Sequence, residues 1–187
     1  MVDFMDDKEL KIEVTESAPE IEASRFEKTL RFVYESDSLA EILRICCYAL
    51  SFGIAYLFFF CALKIGEESF VALAKLFVIT GVPFLAVSIL RRKIDAKRPY
   101  EVYSFYERKP KGRAGASFPS RHVFSAFVIG VAIIPHNLML GLAALAMGVA
   151  IAVIRVLLGI HFIKDVVAGA LIGTLSGAIG IFITTLI

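Results

Sequence analysis

The chain has 187 residues, of which 58% are hydrophobic and 20% charged, with a formal net charge of +2. A soluble domain of this length is nearer half apolar, and here the mean hydropathy of +0.75 comes from long uncharged runs. Such runs exclude an ordinary water-solvated globule, and the near-balance of 20 basic and 18 acidic residues gives no reason to expect a nucleic-acid partner.

Residues 1–44 hold twelve Asp or Glu against six Lys or Arg. Met1 to about Glu22 reads as an acidic tail poor in apolar residues. It lacks the basic-then-apolar pattern of a cleavable signal peptide. From Ser24 to Tyr34 the apolar residues Phe26, Leu30 and Val33 recur at helical spacing, which predicts a short amphipathic helix on the membrane surface. Residues 1–40 are expected to form this tail and helix, and residues 41–187 a membrane-embedded domain.

A helix needs about 20 mostly apolar residues to cross the hydrocarbon core. By that measure five spans are expected, at 45–63, 69–90, 119–135, 138–158 and 164–187. The fold class is therefore all-α, a polytopic transmembrane helix bundle with an interfacial active-site loop. Cys46, Cys47 and Cys61 fall in the first span without metal-ligand spacing and read as small buried hydrophobes. Lys75 is the one charge of the second span and is expected to snorkel to the nearer surface, while Pro83 is expected to kink that span. Pro135-His136-Asn137 divides the long run from 123 to 154. Gly169, Gly173 and Gly177 share a face of the last span, which suits close packing inside the molecule or, less favourably, a homodimer.

With five crossings, the connection 91–121 and the turn near 159–163 lie on one side of the membrane. The first carries ten Lys or Arg against Asp95, Glu101 and Glu107. It reads either as a cytoplasmic topology signal or as a site for an anionic head group. His161 and Asp165, four apart, share a helix face, where the carboxylate would set the imidazole tautomer. The helix N-terminus beside them offers N–H groups to phosphate oxygens. Ser120, in Phe118-Pro119-Ser120-Arg121-His122, has a hydroxyl and an N–H to present to an anion. Arg155 lies inside a span, where a charge costs a few kcal/mol unless it is paired or faces a polar cavity. Arg91 and Arg98 flank the second span. Each of these residues also has an ordinary reading as a flanking or solvated charge, but their convergence with two histidines does not.

Together, Arg91–Pro99 (RRKIDAKRP), Pro119–His122 (PSRH) and Ile154–Asp165 (IRVLLGIHFIKD) resemble the type 2 phosphatidic acid phosphatase (lipid phosphate phosphatase) superfamily. Its motifs, KxxxxxxRP, PSGH and SRxxxxxHxxxD, occur in this order beside membrane spans. The resemblance covers about residues 69–187 and departs from the pattern at Arg91, Arg121 and Ile154. It implies a metal-independent, cofactor-free hydrolase of a lipid phosphomonoester or diphosphate. His161 would be the nucleophile, Asp165 its orienting group and His122 the general acid. Phosphate would be held by Arg91, Arg98, Ser120, Arg121 (mainly through its backbone N–H) and Arg155. The alternative is a degenerate member that binds anionic lipid without turnover. The resemblance also implies a multi-pass protein of the cell membrane with an outward-facing site, which is preferred here over the opposite reading of the basic loop because phosphate binding requires the same arginines. The aromatic loop residues Tyr100, Tyr103, Phe105, Tyr106 and Phe118 suit an interface without choosing among phosphatidate, phosphatidylglycerophosphate and a polyprenyl diphosphate.

Overall fold

The computed structural model describes residues 18–106 and 114–186, with side chains from Arg25 onward. The tail expected before Ala18, and Glu107 to Arg113 of the basic loop, lie outside the described residues.

Among the described residues, seven helices follow in chain order: α1 (Ala18–Glu35), α2 (Asp37–Glu68), α3 (Phe70–Ile94), α4 (Pro99–Val102), α5 (Arg121–Ile133), α6 (Leu138–Leu157) and α7 (Ile163–Thr185). Three breaks fall at capping side chains, as helix N-termini require. Ser36 accepts from the Leu39 N–H at 3.4 Å, Ser69 from Ala72 at 3.2 Å and Asn137 from Leu140 at 3.0 Å. Pro83 lies within α3, which continues to Ile94.

Among the described residues, four helices, α2, α3, α6 and α7, are long and apolar enough to cross a membrane. Only 22–28% of each apolar window is buried inside the protein. The remainder, including Phe52, Leu63, Phe70, Leu175 and Phe182, points outward, where lipid can solvate it. The expected third span is different. At 13 residues, α5 rises about 20 Å, short of a hydrocarbon core of about 30 Å. It is the central helix of the bundle, packed by α7, α6, α3 and α2, with Val123, Phe124, Ala126, Val128 and Ile133 at most 1% exposed. Protein rather than lipid surrounds most of it, so bilayer thickness does not set its length.

Lipid gives no hydrophobic drive for helix association, so close approach has to supply it. A Cβ on Gly169 would stand 2.7 Å from the Ser120 carbonyl oxygen, and one on Gly173 2.6 Å from that of Phe124. The glycine face is therefore filled by α5. This is the intramolecular use, and those glycines have no face left for a second copy. Lys75 does not simply snorkel, because its ammonium donates to the Thr184 carbonyl at 2.6 Å and caps the end of α7. Of the cysteines, Cys47 and Cys61 are buried and Cys46 is exposed.

The amphipathic helix is longer than expected, and it is docked rather than loose on the surface. Leu30 and Val33 are buried, at 1% and 5% exposed. The Phe26 ring lies 6.3 Å from Tyr103 and 6.4 Å from Phe162, and Tyr34 lies 4.9 Å from Tyr106. α1 thus braces the loop that follows α3 and the turn that precedes α7.

Candidate active site

The α3–α5 connection is organised by its two described carboxylates. Asp95 ends α3 in a left-handed conformation (φ 44°), and its Oδ1 accepts from the Ala116 N–H at 3.1 Å. Glu101 accepts from the N–H groups of Arg98 (2.9 Å) and Gly115 (3.0 Å). The Ser117 N–H bonds the Ala96 carbonyl at 2.9 Å, which closes the loop on itself.

Two arginines hold this loop. Arg91, 8% exposed, donates from Nη1 to the Pro119 carbonyl and from Nη2 to the Ala116 carbonyl. Arg98 donates from Nε to Gly115 (3.0 Å) and from Nη1 toward Ile160 (3.4 Å), joining the loop to the α6–α7 turn. Each guanidinium commits two of its five N–H donors, so both retain donors for an anion. Turn and loop meet again where the Ser120 N–H bonds the Asp165 carbonyl at 2.8 Å. That bond corrects one expectation: only the hydroxyl of Ser120 remains for a ligand.

In the α6–α7 turn, Gly159 has φ +65°, and any side chain there would run into the Tyr106 hydroxyl. Burial pushes Tyr106 up to about 12. His161, 1% exposed, follows this turn. Its Nδ1 lies 3.5 Å from Asp165 Oδ2 and 3.2 Å from Ser117 Oγ. Burial pushes His161 down to about 4; Asp165 opposes that shift, and the nearby guanidiniums of Arg98 and Arg155 add to it. The imidazole is consequently neutral near pH 7, with one nitrogen lone pair available. At the N-terminus of α7, where an anion site is expected, Asp165 Oδ2 accepts from the Phe162 N–H at 3.0 Å, and the N–H groups of Ile163 and Lys164 precede the first intrahelical bonds. The start of α5 offers a second set of donors, where the N–H groups of Arg121, His122 and Val123 precede the first intrahelical bond, from Phe124 to Ser120.

Two donors around His161 are buried without a partner among the described residues: Arg155 Nε and Ser120 Oγ. Cys47 lies against the Arg155 guanidinium. His122 lies within electrostatic range of His161, Arg91, Arg121 and Arg155. It opens into a cleft of about 400 Å³ that runs between helices and is walled by Ile54, Phe84, Ala126, Ile129 and Ile151. Arg121 stands at the same cleft, its guanidinium 5.8 Å from the Phe84 ring centre. The residues singled out in the sequence thus meet at one end of the bundle. Ser117, Asp95 and Glu101 were missed. The two carboxylates were visible as the minority charge of a basic loop, whereas nothing local marked Ser117.

A family model described as the PAP2 superfamily matches residues 72–185. Among solved structures, the chain is similar to a transmembrane PAP2 type phosphatidylglycerolphosphate phosphatase from Bacillus subtilis, at 19% identity and a TM-score of 0.67. That match covers 94% of this chain and 90% of the other. It is also similar to Aquifex aeolicus LpxE, at 21% identity and a TM-score of 0.64, covering 90% of this chain and 98% of the other. At these identities the likeness is one of fold. No curated protein matches the chain.

Proposed function

Because the chain belongs to the PAP2 superfamily, we propose that it is an integral-membrane lipid phosphate phosphatase acting through a phosphohistidine on His161. The observation that carries this reading is the pair of buried, unpartnered donors, Arg155 Nε and Ser120 Oγ, beside a buried and neutral imidazole. A donor buried without a partner costs about 1–3 kcal/mol, a cost that a bound phosphate oxygen would remove.

Phosphoryl transfer spreads charge over three equatorial oxygens and needs attacking and leaving groups in line. Arg91, Arg98 and Arg155, the Ser120 hydroxyl and the Arg121 N–H hold those oxygens. His161 attacks phosphorus through Nε2, and Asp165 stabilises the imidazolium that results. His122 takes up a proton with the anionic substrate, whose charge offsets that of the surrounding guanidiniums; it gives that proton to the departing lipid alkoxide, then takes one from the water that releases phosphate. Acid–base help of this kind is worth about 10²–10⁴ in rate. The apolar cleft beside His122 suits the lipid chain of a phosphomonoester or diphosphate such as phosphatidate, phosphatidylglycerophosphate or a polyprenyl diphosphate. Guanidiniums supply the positive charge, so the reaction runs without metal. We place the protein in the cell membrane with the site outward.

The test is phosphate release by the purified protein from that lipid panel in the presence of EDTA. The parent is expected to turn over and to yield a trappable phosphoenzyme, whereas His161→Ala does neither. Anionic lipid binding without phosphate release would instead identify a degenerate member, and full dependence on magnesium would remove the metal-free reading.

A further inference from the structure

We infer that Ser117 is a positioning residue that links Asp165 to His161 and holds the imidazole as its Nδ1–H tautomer. Ser117 is fully buried at 0% exposed. Its hydroxyl donates to Asp165 Oδ2 and lies 3.2 Å from His161 Nδ1. The direct contact between Nδ1 and Oδ2 is longer, at 3.5 Å.

Counting protons settles the direction of each bond. A serine hydroxyl has one proton to give, and an ionised carboxylate only accepts. The carboxylate is the stronger acceptor and the nearer of the two, so it takes the serine proton. Ser117 Oγ is left to accept, and the only proton a neutral His161 can offer it is one on Nδ1. Nε2 is then bare. The chain runs from His161 Nδ1–H to Ser117 Oγ–H to Asp165 Oδ2.

Loop position alone does not explain this hydroxyl. The Ser117 backbone N–H already ties the segment to Ala96, and Arg91 grips the carbonyls on either side, at Ala116 and Pro119. The inference rests on His161 being the nucleophile. When the Nε2 lone pair forms the bond to phosphorus and the phosphorus–oxygen bond to the lipid breaks, the proton on Nδ1 stays in place. The positive charge on the ring is then stabilised by Asp165 through the serine.

The experiment compares Ser117→Ala, Ser117→Thr and His161→Ala in the full-length protein. Ser117→Ala is expected to slow phosphoenzyme formation and kcat by about 10- to 100-fold, the range seen when the outer partner of a metal-bound histidine is lost. KM is expected to stay near that of the parent. Ser117→Thr, which keeps the hydroxyl, restores most of the rate. An unchanged kcat in Ser117→Ala, with His161→Ala inactive, overturns the link and leaves the nucleophile standing. Turnover by His161→Ala overturns the nucleophile itself. Should Ser117→Ala fail to fold, nitrogen-15 NMR of the parent, with the His161 signal assigned by its loss in His161→Ala, decides the matter. A protonated Nδ1 supports the link, and a protonated Nε2 overturns it.

Discussion

His161 carries a pH prediction with a definite sign. Burial holds its imidazole down at about 4, so the neutral, nucleophilic form persists well below the ordinary histidine range near 6.5. The rate of phosphoenzyme formation should lose its His161-dependent part only as pH falls through about 4. Rapid-quench trapping of the phosphoenzyme across pH 3.5–7 checks this, and an acid limb near 6.5 would show an exposed imidazole instead. Arg91 makes a second case. Its fork reaches two loop carbonyls at once, which a lysine's point charge cannot reproduce. Arg91→Ala leaves the buried Pro119 carbonyl and the part-buried Ala116 carbonyl without this partner, at about 1–3 kcal/mol for the buried one. It should lower both the melting temperature in detergent and kcat, with Arg91→Lys falling between Ala and the parent. At this scale the histidines, Asp165, Arg155 and the Arg-Pro pair were readable because imidazoles and charges beside apolar spans stand out. Ser117 was not, since a serine in a loop of this composition is unremarkable until a fold sets it beside an imidazole 44 residues away.

Helix contacts transmit errors to the site according to how near it they lie. Gly169 faces the Ser120 carbonyl, while a Cβ added at Gly177 would stand 2.9 Å from the Val131 side chain, further along the same interface. Overpacking costs about 1–3 kcal/mol in either place, so Gly169→Ala and Gly177→Ala should melt at similarly reduced temperatures. Only Gly169→Ala should also cut kcat strongly, because it pushes Ser120 and the start of α5 away from Asp165. Comparing activity with melting temperature for the two variants in the same detergent tests this. The sequence located the long spans well, since each is a run of apolar residues ended by a cap or a charge. It overestimated α5, because a helix buried in protein and a helix buried in lipid have the same apolar composition.

The whole bundle places the loop after α3 and the turn before α7 at one end, and α7 then carries the chain to the other. The C-terminus therefore lies opposite the candidate site. With the site outward, a fluorescent protein fused after Ile187 should glow and alkaline phosphatase fused there should be inactive; the reverse pattern places the site in the cytoplasm. Membrane residence and the order of the polar motifs belong to the sequence alone, because hydropathy sums along the chain and motif spacing is itself linear. The packing of α1 over the candidate site, the burial of a short central helix and the linking of His161 to Asp165 by Ser117 belong to the tertiary structure. They depend on which surfaces of distant segments touch, and a residue's type does not say what will lie opposite it.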